Sequence, residues 1–218
     1  MKKHYSFLMC LLVAFSSFLF SCGGGKINGH EYVDLGLPSG LKWATCNVGA
    51  KNPWEYGGYY AWGETEEKSD YSCSTYKLCN GSYDNMTKYC TSSSYGTVDY
   101  KAVLDPEDDV AHVKWGGTWR MPTKAEQDEL RNNCTGTWTT LNGVNGYKVT
   151  GPNGNSIFLP AASGRCGTEA GCGNGSYWSS LLYSDNSSNA YFLYFDSCYY
   201  LWGNDYRYYG GSVRPVSK

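Results

Sequence analysis

The sequence predicts an α+β domain that is dominated by strands, with two short helices and long loops. Short segments rich in Tyr, Trp and Val alternate with clusters of Gly, Asn, Ser and Pro, which is typical of strands joined by turns. Only two segments carry helix-capping signals, and no repeat of solenoid or propeller length is present. The 218 residues suit one domain with its own core, and an aromatic fraction of 17% excludes a disordered chain.

Two hairpins are predicted from turn signals between apolar segments. Strand-like segments at 30–35 and 41–44 flank a Gly-Leu-Pro-Ser-Gly turn, which predicts an opening hairpin. Segments at 143–149 and 156–159 flank a Gly-Pro-Asn-Gly turn and predict a second hairpin.

Two helix starts can be placed from capping signals. Asp105 precedes Pro106 and two further acids, which is the pattern of an N-cap followed by Pro at the first helical position. Thr123 and Glu126 have the spacing of a capping box, and the Asn pair at 132–133 is the expected end of that second helix.

Residues 51–100 have little periodicity and predict a long loop region, with 59–62 as a candidate buried strand. An exported protein reaches an oxidising compartment, so disulfide bonds that close loops are expected. Of the ten cysteines, Cys10 lies in a predicted signal peptide and Cys22 is expected to carry a lipid, as described below. The eight that remain allow about 105 pairings, of which two local ones are favoured. These are Cys166 with Cys172, and one pair within Cys73, Cys79 and Cys90.

The N-terminal segment 1–21 is predicted to be a lipoprotein signal peptide. Two lysines precede an apolar run over 7–20, which is too short to span a bilayer with polar flanks. The run ends at a small residue before Cys22, which resembles the bacterial lipobox, and an ordinary signal peptide cut elsewhere is the alternative. We expect lipidation at Cys22, a flexible tether over 22–28 and one domain over 29–218.

The expected location is the outer membrane, on the cell surface, with membrane contact through the lipid anchor alone. The tether has no acidic residues after the cysteine, so the periplasmic face stays open as an alternative. The mature chain would have 197 residues (218 − 21), with 16 basic (18 − 2) and 20 acidic side chains. This acidic balance excludes a basic patch for nucleic acid.

The residue types needed for a metal centre are scarce. No C-x-x-C spacing occurs, and the mature chain has only His30 and His112. The acids Glu107, Asp108 and Asp109 are explained by helix capping. We therefore expect neither a metal site nor a cofactor.

Five stretches in the same order resemble the Fibrobacter succinogenes major paralogous domain, which is common in lipoproteins of Bacteroidetes. They are GHEYVDLGLPSGLKWATCNVGA (29–50), GGYYAWGE (57–64), DPEDDVAHVKWGGTWRMPTKAEQDEL (105–130), VTGPNGNSIFLPAA (149–162) and YWSS…GGSVRPV (177–216). The resemblance implies a C-type-lectin-like fold, similar to that of formylglycine-generating enzymes. Such a fold joins the N- and C-terminal strands in one sheet and displays C-terminal loops and strands on one face.

The region 177–216 also resembles the variable proteins of diversity-generating retroelements. The resemblance rests on a frame of Tyr177-Trp178-Ser179-Ser180, Asn189-Ala190-Tyr191, Leu193, Phe195, Ser197, Arg207, Gly210 and Ser212-Val213-Arg214-Pro215-Val216. In those systems, errors at template adenines change AAC codons to NNC, which never encodes Lys, Glu, Gln, Met or Trp. Residues 181–209 contain no Lys, Glu, Gln or Met, and Trp202 would belong to the fixed frame.

The composition of the C-terminal segment is that of a binding surface. Residues 177–209 hold nine Tyr with Ser, Asn, Asp and Gly between them, which is the composition of antibody-like paratopes. Strand alternation gives the candidate contacts Tyr183, Asp185, Tyr194, Tyr199, Tyr200, Leu201, Asp205, Tyr206, Tyr208 and Tyr209. The alternative is that these rings pack inward, and Tyr177 and Tyr191 are expected in the core.

The expected function is therefore non-enzymatic binding of an external protein or glycan. A fixed structural or adhesive role in the envelope is the alternative. An oxidase using Cys198 would need a recognisable partner cysteine, and a hydrolase would need a nucleophile elbow; neither is present. The Trp-Gly-Asn-Asp segment at 202–205 resembles a calcium motif of C-type lectins, but lacks its Glu-Pro-Asn partner.

Overall fold

The computed structural model describes residues 24–171 and 173–218. Three predictions concern residues outside the described part of the chain: the signal peptide over 1–21, lipidation at Cys22, and the pairing of Cys166 with Cys172. Within the described part of the chain, no helix has the length and apolar character needed to cross a bilayer.

The strand-dominated α+β class is confirmed, with antiparallel sheets that curl and two helices among the described residues. The elements are β1 (Lys26–Ile27), β2 (His30–Asp34), β3 (Lys42–Ala44), α1 (Val110–Trp115), α2 (Lys124–Asn133), β4 (Thr135–Leu141), β5 (Val144–Thr150), β6 (Ser156–Pro160), β7 (Arg165–Cys166), β8 (Glu169–Ala170), β9 (Gly175–Leu182), β10 (Asn189–Phe195), β11 (Tyr200–Tyr206) and β12 (Val216–Ser217).

The two ends of the domain meet in one sheet of order β1-β2-β3-β12. The predicted opening hairpin is confirmed as β2 and β3, and β12 pairs with β3 through Val216 and Trp43. The tether differs from expectation, because Lys26–Ile27 already pairs with β2. Asn28 and Gly29 have positive φ angles of 46° and 85°, and this two-residue turn folds the end of the tether onto the domain.

A second sheet has the order β4-β5-β6 and contains the second predicted hairpin, β5 and β6. The sequence reasoning missed β4, which pairs with β5 along its whole length. Asn142 and Gly143, with φ angles of 49° and 82°, form the tight turn between them. This Asn-Gly pair is the signal that would have predicted the hairpin.

The second helix begins and ends as predicted. The Thr123 hydroxyl accepts a hydrogen bond from the backbone N–H of Glu126, the Glu126 carboxylate accepts one from the backbone N–H of Thr123, and α2 ends at Asn133. The first helix begins later than predicted, because Pro106–Asp108 forms a separate 3-10 turn. The N-cap of α1 is Asp109, which accepts hydrogen bonds from the two backbone N–H groups that open the helix.

The third sheet has the order β11-β10-β9 and contains most of the C-terminal region. Helix α2 packs against β9 and β10. The side chains of Tyr177, Leu193 and Phe195 on that side of the sheet are buried. The prediction that Tyr177 lies in the core is therefore confirmed, whereas Tyr191 is only half-buried.

Residues 51–100 form the long loop region that was predicted. The segment 59–62 supplies the buried rings of Tyr60 and Trp62, but it forms an isolated β-bridge between Tyr60 and Gly211 and not a strand. The sulfurs of Cys73 and Cys79 lie 3.6 Å apart, so these two cysteines are close in space as predicted, but they are free and no disulfide bond joins them.

Two fully buried arginines connect the C-terminal segment to earlier parts of the chain. Arg214 donates to the side chain of Asn47 at 2.8 Å and to the backbone carbonyl of Phe158 at 2.8 Å. Arg207 donates to the Tyr76 hydroxyl at 3.0 Å and to three backbone carbonyls. Those carbonyls belong to Lys88, Tyr89 and Ser187.

Replacing Arg207 with Met should destabilise the domain by about 3–5 kcal/mol, because four buried acceptors lose their donor. Urea denaturation followed by tryptophan fluorescence measures the change. The control is Arg165→Met, since the Arg165 guanidinium lies against the ring of Tyr59 and is only half-buried. We expect the control to lose less than about 1 kcal/mol. Equal losses in the two variants would contradict this role for Arg207.

Candidate functional site

A pocket of about 310 Å³ lies between the β7–β8 hairpin and the third sheet. Its floor is the side of the sheet opposite the buried Leu193, because successive strand residues point to opposite faces. The pocket is lined by Gly164, Arg165, Cys166, Glu169, Ala170, Gly171, Asn174, Ser176, Trp178, Phe192, Tyr194, Asp205, Tyr209 and Gly210.

The aromatic floor of the pocket is rigidly placed. Trp178 donates its indole N–H to the backbone carbonyl of Tyr60 at 2.9 Å. Phe192 meets the Trp178 ring edge-on, with centroids 5.8 Å apart. Gly203 lies opposite Phe192 in the strand pairing, and a Cβ atom there would stand 2.5 Å from the Phe192 ring. The glycine therefore allows Phe192 to lie across β11.

Three charged residues line the pocket. Asp205 accepts a hydrogen bond from the backbone N–H of Tyr206 at 2.8 Å, and burial raises the pKa of its carboxyl. The Arg165 guanidinium lies 5.0 Å from the ring centroid of Tyr59. Within the described residues, neither Asp205 nor Glu169 forms an ion pair.

A cluster of tyrosines adjoins the pocket where β11 ends. Tyr206 stacks on Tyr208 with centroids 5.0 Å apart, and Tyr209 meets Tyr208 edge-on at 4.9 Å. Burial raises the pKa of Tyr208 to about 12. A hydrogen bond to Cys166, together with burial, raises the pKa of Tyr209. The hydroxyl groups of Tyr208 and Tyr209 are therefore neutral at physiological pH.

The exposed end of the same sheet completes the surface. Tyr199 and Leu201 are 59% and 41% exposed. Leu201 pairs with Tyr194, whose hydroxyl donates to Asp196 at 2.8 Å. We define the groove face as Tyr194, Tyr199, Leu201, Asp205, Tyr206, Tyr208 and Tyr209, which are seven of the ten residues that the sequence predicted.

Two of the remaining predicted contacts lie elsewhere. The Tyr183 hydroxyl donates to the Asp185 carboxylate at 3.2 Å, in the connection between β9 and β10. Tyr183 packs edge-on against Tyr191 at 5.1 Å, and Tyr191 contacts Trp202 on the other side of the sheet. The structure therefore separates Tyr183 and Asp185 from the groove face.

Tyr200 was predicted to point outward, but its ring packs inward. It stacks on Tyr147 with centroids 5.0 Å apart, and burial raises its pKa. Its hydroxyl oxygen is buried without a hydrogen-bond partner among the described residues. Tyr200 pairs with the buried Phe195, and strand alternation places it on the face opposite to Leu201, so these two neighbours could not both lie on the groove face.

The sequence reasoning missed the pocket wall formed by Arg165 and Glu169. Both lie in the Gly-rich segment 164–175, which was interpreted only as a loop closed by a disulfide. The glycines allow a two-strand hairpin to approach the sheet, and Gly171 donates to the carbonyl of Gly164 at 2.8 Å. The two residues of opposite charge within this Gly-rich segment are the sequence signal that could have indicated the wall.

The acids near the first helix do not form a free metal site. Carboxylate oxygens of Asp105, Glu107 and Asp108 lie within 4.8 Å of one another. Lys88 contacts Asp105 at 2.9 Å and Asp108 at 2.6 Å, and Lys101 contacts Asp105 at 2.6 Å. These lysines already neutralise the cluster, and salt bridges with Lys101 and Lys88 lower the pKa of Asp105 to about 2.

The segment 202–205 does not gather calcium ligands. Asn204 accepts a hydrogen bond from Asn189 at 2.8 Å, whereas Asp205 points into the pocket on the opposite side of β11. The indole N–H of Trp202 donates to Asp128 at 2.5 Å. The resemblance to a lectin motif therefore does not extend to the geometry.

Comparison with known proteins gives no match: no family model, curated protein or solved structure matches this chain.

Replacing Gly203 with Ala should distort the pocket floor and destabilise the domain by about 1–3 kcal/mol, since the new methyl group overlaps the Phe192 ring. The control is Gly171→Ala, where the nearest atom would lie at an ordinary contact distance of 3.4 Å. Chemical denaturation measures both. A G203A variant as stable as the G171A variant would contradict this account of Gly203.

Proposed function

We propose that this protein is a lipid-anchored, non-enzymatic binding protein whose groove face recognises an external macromolecule. Its domain would have the C-type-lectin-like fold of the Fibrobacter succinogenes major paralogous domain. A retroelement would diversify the C-terminal region, and Cys22 would hold the protein in the outer membrane, on the cell surface. No cofactor takes part.

The proposal rests on the difference in burial between two sets of residues in the C-terminal region, the expected fixed frame and the groove face. Of the 17 residues of the expected fixed frame, Ser197 is exposed and Asn189 and Tyr191 are half-buried, whereas twelve are 5% exposed or less. They are Tyr177, Trp178, Ser179, Ser180, Ala190, Leu193, Phe195, Arg207, Ser212, Val213, Arg214 and Val216. The groove face, by contrast, contains no fully buried side chain. Variation on this face would therefore leave the core intact.

Trp202 fits the frame as the proposal requires. Trp202 is half-buried and donates a hydrogen bond to Asp128. The Lys124 ammonium lies over its ring, 4.5 Å from the ring centroid. These contacts give Trp202 a structural role on the side of the sheet away from the groove. This structural role supports the assignment of Trp202, which the proposed codon change cannot produce, to the fixed frame.

The groove face has the physical properties of a contact surface. Tyrosine rings supply large, amphipathic contact area and lose little rotamer entropy on binding. Here they are attached to a sheet whose opposite side is packed against α2, so the backbone beneath them is already ordered. Tyr199 and Leu201 at the edge are open to a partner without any rearrangement.

Replacing Tyr199 and Leu201 together with Ser should weaken binding at least tenfold while the unfolding free energy changes by less than about 1 kcal/mol. The measurement is flow cytometry of fluorescent protein on a panel of intact bacteria and phage particles. The matched control replaces Tyr100 and Val113, which are 82% and 47% exposed, with Ser. Unchanged binding by Y199S/L201S, or equal loss in the control, would contradict the proposal.

Sequencing around the gene tests diversification separately. We expect a reverse-transcriptase gene and a near-copy of the gene's 3′ end that differs from it at adenines. Those differences should fall in codons of the groove face and spare Arg207 and Arg214. A neighbourhood without either element would favour a fixed structural or adhesive surface.

A further inference from the structure

The pocket beside the groove face has an excess of negative charge. Asp205 and Glu169 contribute two carboxylates, and Arg165 contributes the one cation in the lining. The Arg165 guanidinium is directed to the ring of Tyr59, which is not part of this pocket. A cationic group therefore complements the pocket better than an anion.

The pocket also contains hydrogen-bond acceptors that still have capacity. Oδ1 of Asp205 accepts one bond, from Tyr206, while Oδ2 has no hydrogen-bond partner among the described residues. The hydroxyl oxygens of Tyr194 and Tyr209 also line the pocket, and a hydroxyl has two acceptor sites. The raised pKa of Asp205 reflects burial of its charge without a countercharge.

The remaining walls suit the aliphatic chain that carries such a cation. Trp178 and Phe192 form an aromatic floor with their rings held edge to face. Aromatic faces attract cations, and they also cover the methylene groups next to an ammonium group. A volume of about 310 Å³ is near the lower end of the range for small-ligand pockets, roughly 300–1,000 Å³.

We infer that this pocket binds a primary ammonium group, such as a lysine side chain, presented by the macromolecule that the groove face recognises. The ammonium would donate to Oδ2 of Asp205, with its methylene chain against Trp178 and Phe192. The inference rests on the proposed function for the identity of the ligand, but the pocket's own affinity can be measured without that ligand.

Titration of the ¹⁵N-labelled protein with n-butylammonium chloride, at constant ionic strength, tests the pocket directly. We expect saturable shifts of the backbone amides of Ser176, Phe192 and Asp205, with a dissociation constant of about 1 mM. Asp205→Asn should weaken binding at least tenfold. Glu31→Gln, which neutralises an exposed carboxylate on β2 in the first sheet, should leave it unchanged and provides the control.

The spectrum of each variant also shows whether it is folded. Glu169→Gln is a second variant, which removes one negative charge from the exposed hairpin. The inference is overturned if butylammonium gives no saturable shifts, if folded D205N binds it like the wild type, or if sodium butyrate binds more tightly. A different result would overturn the proposed function, namely cell binding by the Y199S/L201S variant that equals that of the wild type. Loss of cell binding by that variant with no butylammonium binding would overturn the ammonium site alone.

Discussion

The structure depends on the hydrogen bonds of two buried guanidinium groups near the C-terminus. Arg207 and Arg214 are 0% and 1% exposed, and all the acceptors that bind them are neutral. A buried charge is tolerated only when its donors are satisfied, so each arginine fixes the backbone segments that supply those acceptors. Arg214 holds the first and second sheets together. Arg207 ties the long loop region to the end of β11.

The hydrogen bonds of these arginines explain why the backbone beneath the tyrosine-rich surface is well ordered. Arg207 lies between Tyr206 and Tyr208, so its bonds fix the point at which the tyrosine cluster leaves the sheet. Its guanidinium also lies 5.0 Å from the centroid of the buried Trp62. The residues on either side of Arg207 can therefore change in type while the arginine holds their positions. Under the proposed function, stability and recognition would reside in alternate residues of this segment.

The fold could be predicted from the sequence where local signals were strong, as at the Thr123 capping box and the β5–β6 turn. It could not where tertiary contacts decided the outcome. Asp109 rather than Asp105 caps α1, because Asp109 also accepts a bond from the backbone N–H of Met121, far along the chain. The groove-face residues were named from composition and alternation, whereas Arg165 enters the site only because the β7–β8 hairpin folds over the sheet. No local pattern encodes that approach.

We propose above all that the residues of the groove face can be substituted without unfolding the domain, whereas those of the fixed frame cannot. The most direct measurement compares protease resistance of two displayed libraries of the full domain. One is randomised at Tyr194, Tyr199, Leu201 and Tyr206, and the other at Tyr177, Trp178, Arg207 and Arg214. We predict that most members of the first library stay folded and resist protease, whereas nearly all members of the second are cleaved. Similar cleavage of both libraries would contradict the claim.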